Sequence, residues 1–201
     1  MSIVSNISPL APKNFPIMHS ISGVRFATAN AGIKSGDSED ATLILLEPET
    51  VIAGLFTSSM TRSAPVIDCQ NKIGINVENT GAAIIVNSGN ANAFTGRHGE
   101  LAVREIIAEL STRVQIPVER IFSSSTGVIG ELLEYQKIIN VFDYLVDSLH
   151  VSKIENAARA IMTTDTFPKG SSVKVRSSGG KITISGIAKG SGMIAPNMGT
   201  M

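Results

Sequence analysis

Apolar positions in this chain fall into short stretches parted by Gly, Pro and Asp, and the spacing within each stretch predicts an element. Val24–Ala29, Thr42–Leu46 and Val51–Phe56 are apolar and β-branched between turn residues and predict strands. Ala83-Ile84-Ile85-Val86 runs apolar without a break into Asn87, the pattern of a strand buried on both faces. Within His98–Val114, Leu101, Ile106, Ile107 and Leu110 recur on one side of a helix. A short strand is expected near Ile121. Glu131–Leu149 predicts one long helix, with Leu132, Tyr135, Ile138, Ile139, Phe142, Leu145 and Leu149 inward. Ser152 and Glu155 have the spacing of a capping box opening a third helix, roughly Lys153–Met162. Ser172–Arg176 and Lys181–Ile187 alternate as a hairpin joined by Ser178-Gly179-Gly180. Strands and helices in this order predict a layered α/β domain occupying residues 1–201.

Charge narrows the function classes. Lys plus Arg and Asp plus Glu are 17 each, and no basic run is present, so the clustered positive footprint of a nucleic-acid binder is missing. No stretch reaches the roughly 20 apolar residues of a membrane helix, so no membrane partner is expected. Met1–Pro16 lacks the charged and then apolar regions of a secretory signal. Cys69 is the single cysteine, which fits a reducing, cytoplasmic setting. His19, His98 and His150 have no Cys or His neighbours at metal-ligand spacing, so no metal site is expected.

Four polar, Gly-rich segments abut apolar elements. Asn87–Asn92 (NSGNAN) follows a buried strand, where α/β proteins place ligands; it reads equally as a connection whose Asn side chains satisfy their own backbone. Ser123–Gly130 (SSSTGVIG) could offer consecutive N–H groups near a helix start, with a Thr hydroxyl beside a Gly N–H as an oxyanion hole, or could be an ordinary Ser/Thr turn. It is not a phosphate-binding P-loop, because no Gly-Lys-Ser/Thr follows. Met162–Thr166 (MTTDT) sets hydroxyls beside a carboxylate, suited to a polar ligand or to capping a helix end. Gly186–Met201 mixes Gly with Met and Ile and holds one lysine, Lys189, whose ammonium could meet a carboxylate.

These segments, NSGNAN at 87–92, STGVIG at 125–130, MTTDT at 162–166 and KGSGMIAPNMGT at 189–200, resemble in order and spacing the signature segments of the ornithine acetyltransferase / glutamate N-acetyltransferase family of arginine biosynthesis. Gly23–Lys34 and Ala64-Pro65-Val66 add to the likeness, which runs from about Gly23 to Met201. The resemblance implies an α-β-β-α sandwich that is incomplete without a second, β chain. It implies self-cleavage of a precursor between Gly199 and Thr200, where the family usually has Ala before the Thr. Thr200 would then be the nucleophile, Thr126 and Gly127 the oxyanion hole, and Thr163, Lys189 and Thr200 the substrate contacts on this chain. The implied reaction moves acetyl from N-acetylornithine to glutamate through an acetyl-threonine. No cofactor is implied, and acetyl-CoA is open as a co-substrate. The partners implied are the small-molecule substrates and the β chain, in a hetero-oligomer.

The chain continues two residues past Gly199, so the reading expects a fragment cut just after the cleavage site and inactive by itself. Two rivals stand beside it. One is an N-terminal-nucleophile amidohydrolase or aminopeptidase, in which water takes the acyl group. The other is an inactive fragment or binding half.

Overall fold

The structure, a computed structural model, describes residues 7–75, 77–192 and 198–199. Its centre is a four-stranded sheet in the order β1 (Val24–Ala29), β2 (Ala41–Leu46), β3 (Ala82–Asn90), β4 (Ile121–Val128). The first three strands run antiparallel, and β3 and β4 are parallel. A parallel pair needs a crossover, and helix α2 (Gly96–Val114) supplies it.

Alternation along the strands divides the packing. Ala27, Leu43, Ile85 and Ile121 join Ile106, Ile107 and Leu110 of α2 in the main core. On the opposite face, Phe26 packs with Ile154 and Ala157 of helix α5 (Ile154–Ala160). A separate two-stranded sheet, β5 (Lys169–Ser177) with β6 (Gly180–Ala188), follows α5. Its Ile187 packs beside Phe26 and Ile154. The result is the layered α/β arrangement that the alternating pattern predicts.

Helix α1 (Ala64–Lys72) was not foreseen. Pro65 opens it, where a missing N–H costs nothing. It seals the outer edge of β4: Cys69 Sγ lies 3.2 Å from the Ser123 carbonyl oxygen and Lys72 Nζ 3.3 Å from that of Ile121. An uncovered edge strand would invite pairing with other chains.

Four expectations need correction. The single helix over Glu131–Leu149 is two short ones, α3 (Tyr135–Ile139) and α4 (Phe142–Asp147). The β-branched run Ile138, Ile139, Val141 around Asn140 is poor helix material. Breaking there lets Leu133, Ile138, Phe142 and Leu145 all reach the core, while Leu132 is exposed. Next, the capping box does not form. Ser152 Oγ bonds His150 Nδ1 at 2.8 Å, and Glu155 instead holds Arg159 one turn on, at 2.7 Å. Val51–Phe56 is no strand: Val51 and Leu55 are almost fully exposed, and among the described elements none pairs with it. Last, Asn87–Asn90 and Ser123–Val128 are not loops, because the β3–β4 ladder continues from Ala83↔Ile121 to Gly89↔Gly127. The next helix in sequence begins only at Tyr135, so the Thr126-Gly127 segment does not itself lead into a helix start.

Candidate active site

The parallel strand ends carry the polar segments to one place. Their side chains bond partly within the segment, as the plainer reading of NSGNAN expects, and partly outside it, with Asn90 Nδ2 donating to the Glu131 carbonyl (3.1 Å). Asn87 Nδ2 donates to the Asn90 carbonyl (2.9 Å), Asn92 N–H to Asn90 Oδ1 (2.7 Å), and the buried Asn92 Nδ2 to the Gly99 carbonyl at the start of α2 (3.0 Å). Ser125 Oγ donates to Asn87 Oδ1 across the two strands (2.6 Å). This net fixes the end of β4, where Gly127 has φ of 137°, a backbone conformation open to glycine.

Beyond the strand ends lies a cavity of about 700 Å³. Thr126, Gly127, Thr163 and Lys189 all line it, together with Lys34 and Gly89. Four residues singled out in widely separated segments therefore share one space.

A buried carboxylate ties three of the lining residues together. Asp165 Oδ1 accepts from Lys169 Nζ (2.8 Å) and the Gly190 N–H (2.6 Å). Its Oδ2 accepts from the Thr163 N–H (3.3 Å) and faces Lys189 Nζ at 3.5 Å. Burial pushes this carboxyl up, but the Lys169 ammonium, the two backbone N–H groups and the Lys189 charge outweigh it and hold Asp165 well below the usual carboxylate range. The Asp of MTTDT thus does not cap a helix: it ties Thr163 to the segment that presents Lys189.

Sequence reasoning missed two contributors. Asp40, buried before β2, accepts N–H bonds from Ala31 (2.7 Å), Ile33 (2.6 Å) and Lys34 (2.8 Å) and so folds that loop around itself. Lys34, held by the loop, donates to the Ala160 and Met162 carbonyls at 3.4 and 3.3 Å. Desolvation lowers its pKa, against the opposing charges of Asp40 and Glu39. Only the likeness of the Gly23–Lys34 segment pointed there.

Thr200 lies outside the described residues. Gly199 is exposed and is not part of the cavity lining. Just before it, the Met198 carbonyl accepts from Ser58 N–H (2.6 Å), Thr57 Oγ1 (2.9 Å) and Ser58 Oγ (3.0 Å). Among the described residues no group of three or more His, Cys, Asp or Glu is placed to hold a metal ion. No described helix is long and apolar enough to cross a membrane.

The family model described as "ArgJ family" matches residues 25–201. The chain belongs to the ArgJ family. It is 50% identical over its whole length to the arginine biosynthesis bifunctional protein ArgJ of Ruegeria pomeroyi, covering 49% of that protein. It is 44% identical over 195 residues to the ArgJ protein of Bartonella quintana, covering 97% of this chain and 47% of that one. The chain thus spans about half the length of the curated ArgJ relatives it matches. Among solved ArgJ structures, that of Bacillus halodurans superposes with a TM-score of 0.80 at 31% identity, covering 89% of this chain and 94% of the other. The ornithine acetyltransferase of Mycobacterium tuberculosis, crystallised with ornithine, gives 0.78 at 30% identity and covers 88% and 92%.

Proposed function

We propose that this chain supplies the oxyanion hole and part of the substrate site of a glutamate N-acetyltransferase that moves acetyl from N-acetylornithine to glutamate. The observation carrying the reading is that Thr126, Gly127, Thr163 and Lys189 line one cavity at the end of a parallel strand pair. Cleavage of Gly199–Thr200 would free the Thr200 α-amine. An α-amine titrates near neutrality, at about 7.7–8.0, and can deprotonate the neighbouring hydroxyl. The Thr200 oxygen would attack the acetyl carbonyl and form a tetrahedral oxyanion, with the Thr126 hydroxyl and Gly127 N–H as donors to it. Collapse would break the C–N bond, release ornithine with the proton and leave acetyl-threonine. The glutamate amine would then attack the ester through a second oxyanion, giving N-acetylglutamate and restoring the Thr hydroxyl. Each oxyanion donor is worth about 3 kcal/mol of barrier.

Lys189 suits a substrate carboxylate. Its contact with Asp165 is long, and Lys169 already offsets that carboxylate at 2.8 Å. In this reading no metal or dissociable cofactor is needed for the ornithine-to-glutamate transfer, acetyl-CoA stays open as a co-substrate, and the setting is the cytoplasm. The remaining substrate contacts come from a β chain, in a hetero-oligomer. The half-length coverage of the relatives supports such a partner.

The test is to co-express this chain, continued through Thr200 into a C-terminal half, and to assay transfer. Ornithine and N-acetylglutamate should form in equal amounts. Thr200→Ala should abolish both maturation and transfer; a variant that still matures and turns over removes the nucleophile assignment. Acetate released without glutamate would favour the amidohydrolase.

A further inference from the structure

Lys34 lines the same cavity as Gly89, Thr126, Gly127 and Thr163. A Cβ placed on Gly89 would stand 2.9 Å from Lys34 Cγ, so the side chain passes directly over the β3 end that pairs with Gly127. Its ammonium then reaches the carbonyls of Ala160 and Met162, at and beyond the C-terminus of α5. A cation is favoured there, where helix carbonyls lack intrahelical partners. Ser88 Oγ, one residue before Gly89, donates to the same Ala160 carbonyl at 2.5 Å. The residue after Met162 is Thr163. The root of the lysine is fixed too, because Asp40 holds the Lys34 N–H and two others of its loop. A continuous set of contacts thus runs from Asp40 through Lys34 to the residue before Thr163.

We propose that Lys34 is a positioning residue that sets the distance between the Thr126–Gly127 edge and Thr163, acting through the backbone carbonyls of Ala160 and Met162. The kinetic part of its test rests on the acetyl-transfer reading; the structural part does not. Lys34→Met keeps the stem that covers Gly89 and removes the ammonium.

Hydrogen exchange should show the amides of residues 162–165 exchanging at least tenfold faster in Lys34→Met, with β3 and β4 unchanged. Unchanged exchange at 162–165 overturns the proposal, as does a uniform rise across the sheet. In the completed enzyme, Lys34→Met should raise KM for N-acetylornithine about tenfold with kcat within threefold, the signature of lost ground-state and transition-state binding alike. Lys34→Arg should recover most of the loss. Thr163→Val should raise KM similarly, and the double variant should be no more than twofold worse than Thr163→Val alone, because both remove one contact. Multiplying effects would mean that Lys34 does not act through Thr163 and would overturn the proposal. If the wild-type enzyme transfers no acetyl, the functional reading fails and the exchange result still decides the role of Lys34.

Discussion

Gly127 sits so close to Gly89 that a methyl group on Gly127 would stand 2.5 Å from the Gly89 carbonyl oxygen and 2.6 Å from the Asn90 amide nitrogen. Two backbones approach there without side chains between them, at the point where the β3–β4 register shifts. Both glycines also have positive φ, 137° and 110°. Gly127→Ala therefore meets a backbone clash and a disfavoured dihedral together. It should lower stability by about 3 kcal/mol or more, measured by urea denaturation. A loss under about 1 kcal/mol would mean that the strand ends are not packed this tightly.

Asp165 gives a pH signature with a definite sign. Its carboxyl is held well below the ordinary value, chiefly by Lys169 against the opposing effect of burial. A depressed carboxyl stabilises the fold at pH above its unfolded value of about 3.9, and that stability is lost as pH falls toward the folded value. Asp165→Asn keeps the shape and removes the charge, leaving Lys169 and Lys189 without their carboxylate. At pH 7 the variant should be less stable by about 2–4 kcal/mol. Between pH 4 and the acid limit of the measurement the gap should narrow. A gap that stays constant over that range would show that Asp165 does not carry the linkage.

The elements with a plain period were legible from the sequence: β1, β2, the core of β3, α2 and the β5–β6 hairpin. The polar strand ends were not. Asn87, Ser88 and Asn90 have the composition of a turn, yet the ladder and the Ser125–Asn87 side-chain bond across it make them strand, because strand preference is set by neighbours more than by residue type. Lys34 was legible only as part of a resemblance and Asp40 not at all. Their partners are backbone groups, some more than a hundred positions away, which leave no trace in side-chain spacing. Thr126, Gly127, Thr163 and Lys189 were each ambiguous by local chemistry. The likeness to a family singled them out, and the fold places the four around one cavity.

The hairpin supplies the last prediction. Val173 faces Ile184 and Val175 faces Ile182 across β5 and β6, on one side of a two-stranded sheet. All four are about half exposed, 50% and 56% in the first pair and 43% and 47% in the second. Two strands alone are marginal in water, and an apolar row of this kind normally packs on something. The acetyl-transfer reading predicts that the C-terminal half of the enzyme covers it. The 201-residue chain alone should therefore self-associate in sedimentation velocity as concentration rises. Ile182→Lys with Ile184→Lys should return it to a monomer with unchanged far-UV circular dichroism, since neither side chain belongs to a core cluster. The same pair of substitutions should block capture of a separately expressed C-terminal half. A monomeric wild-type chain, or a double variant that still captures that half, would show that this face is not where the two halves meet.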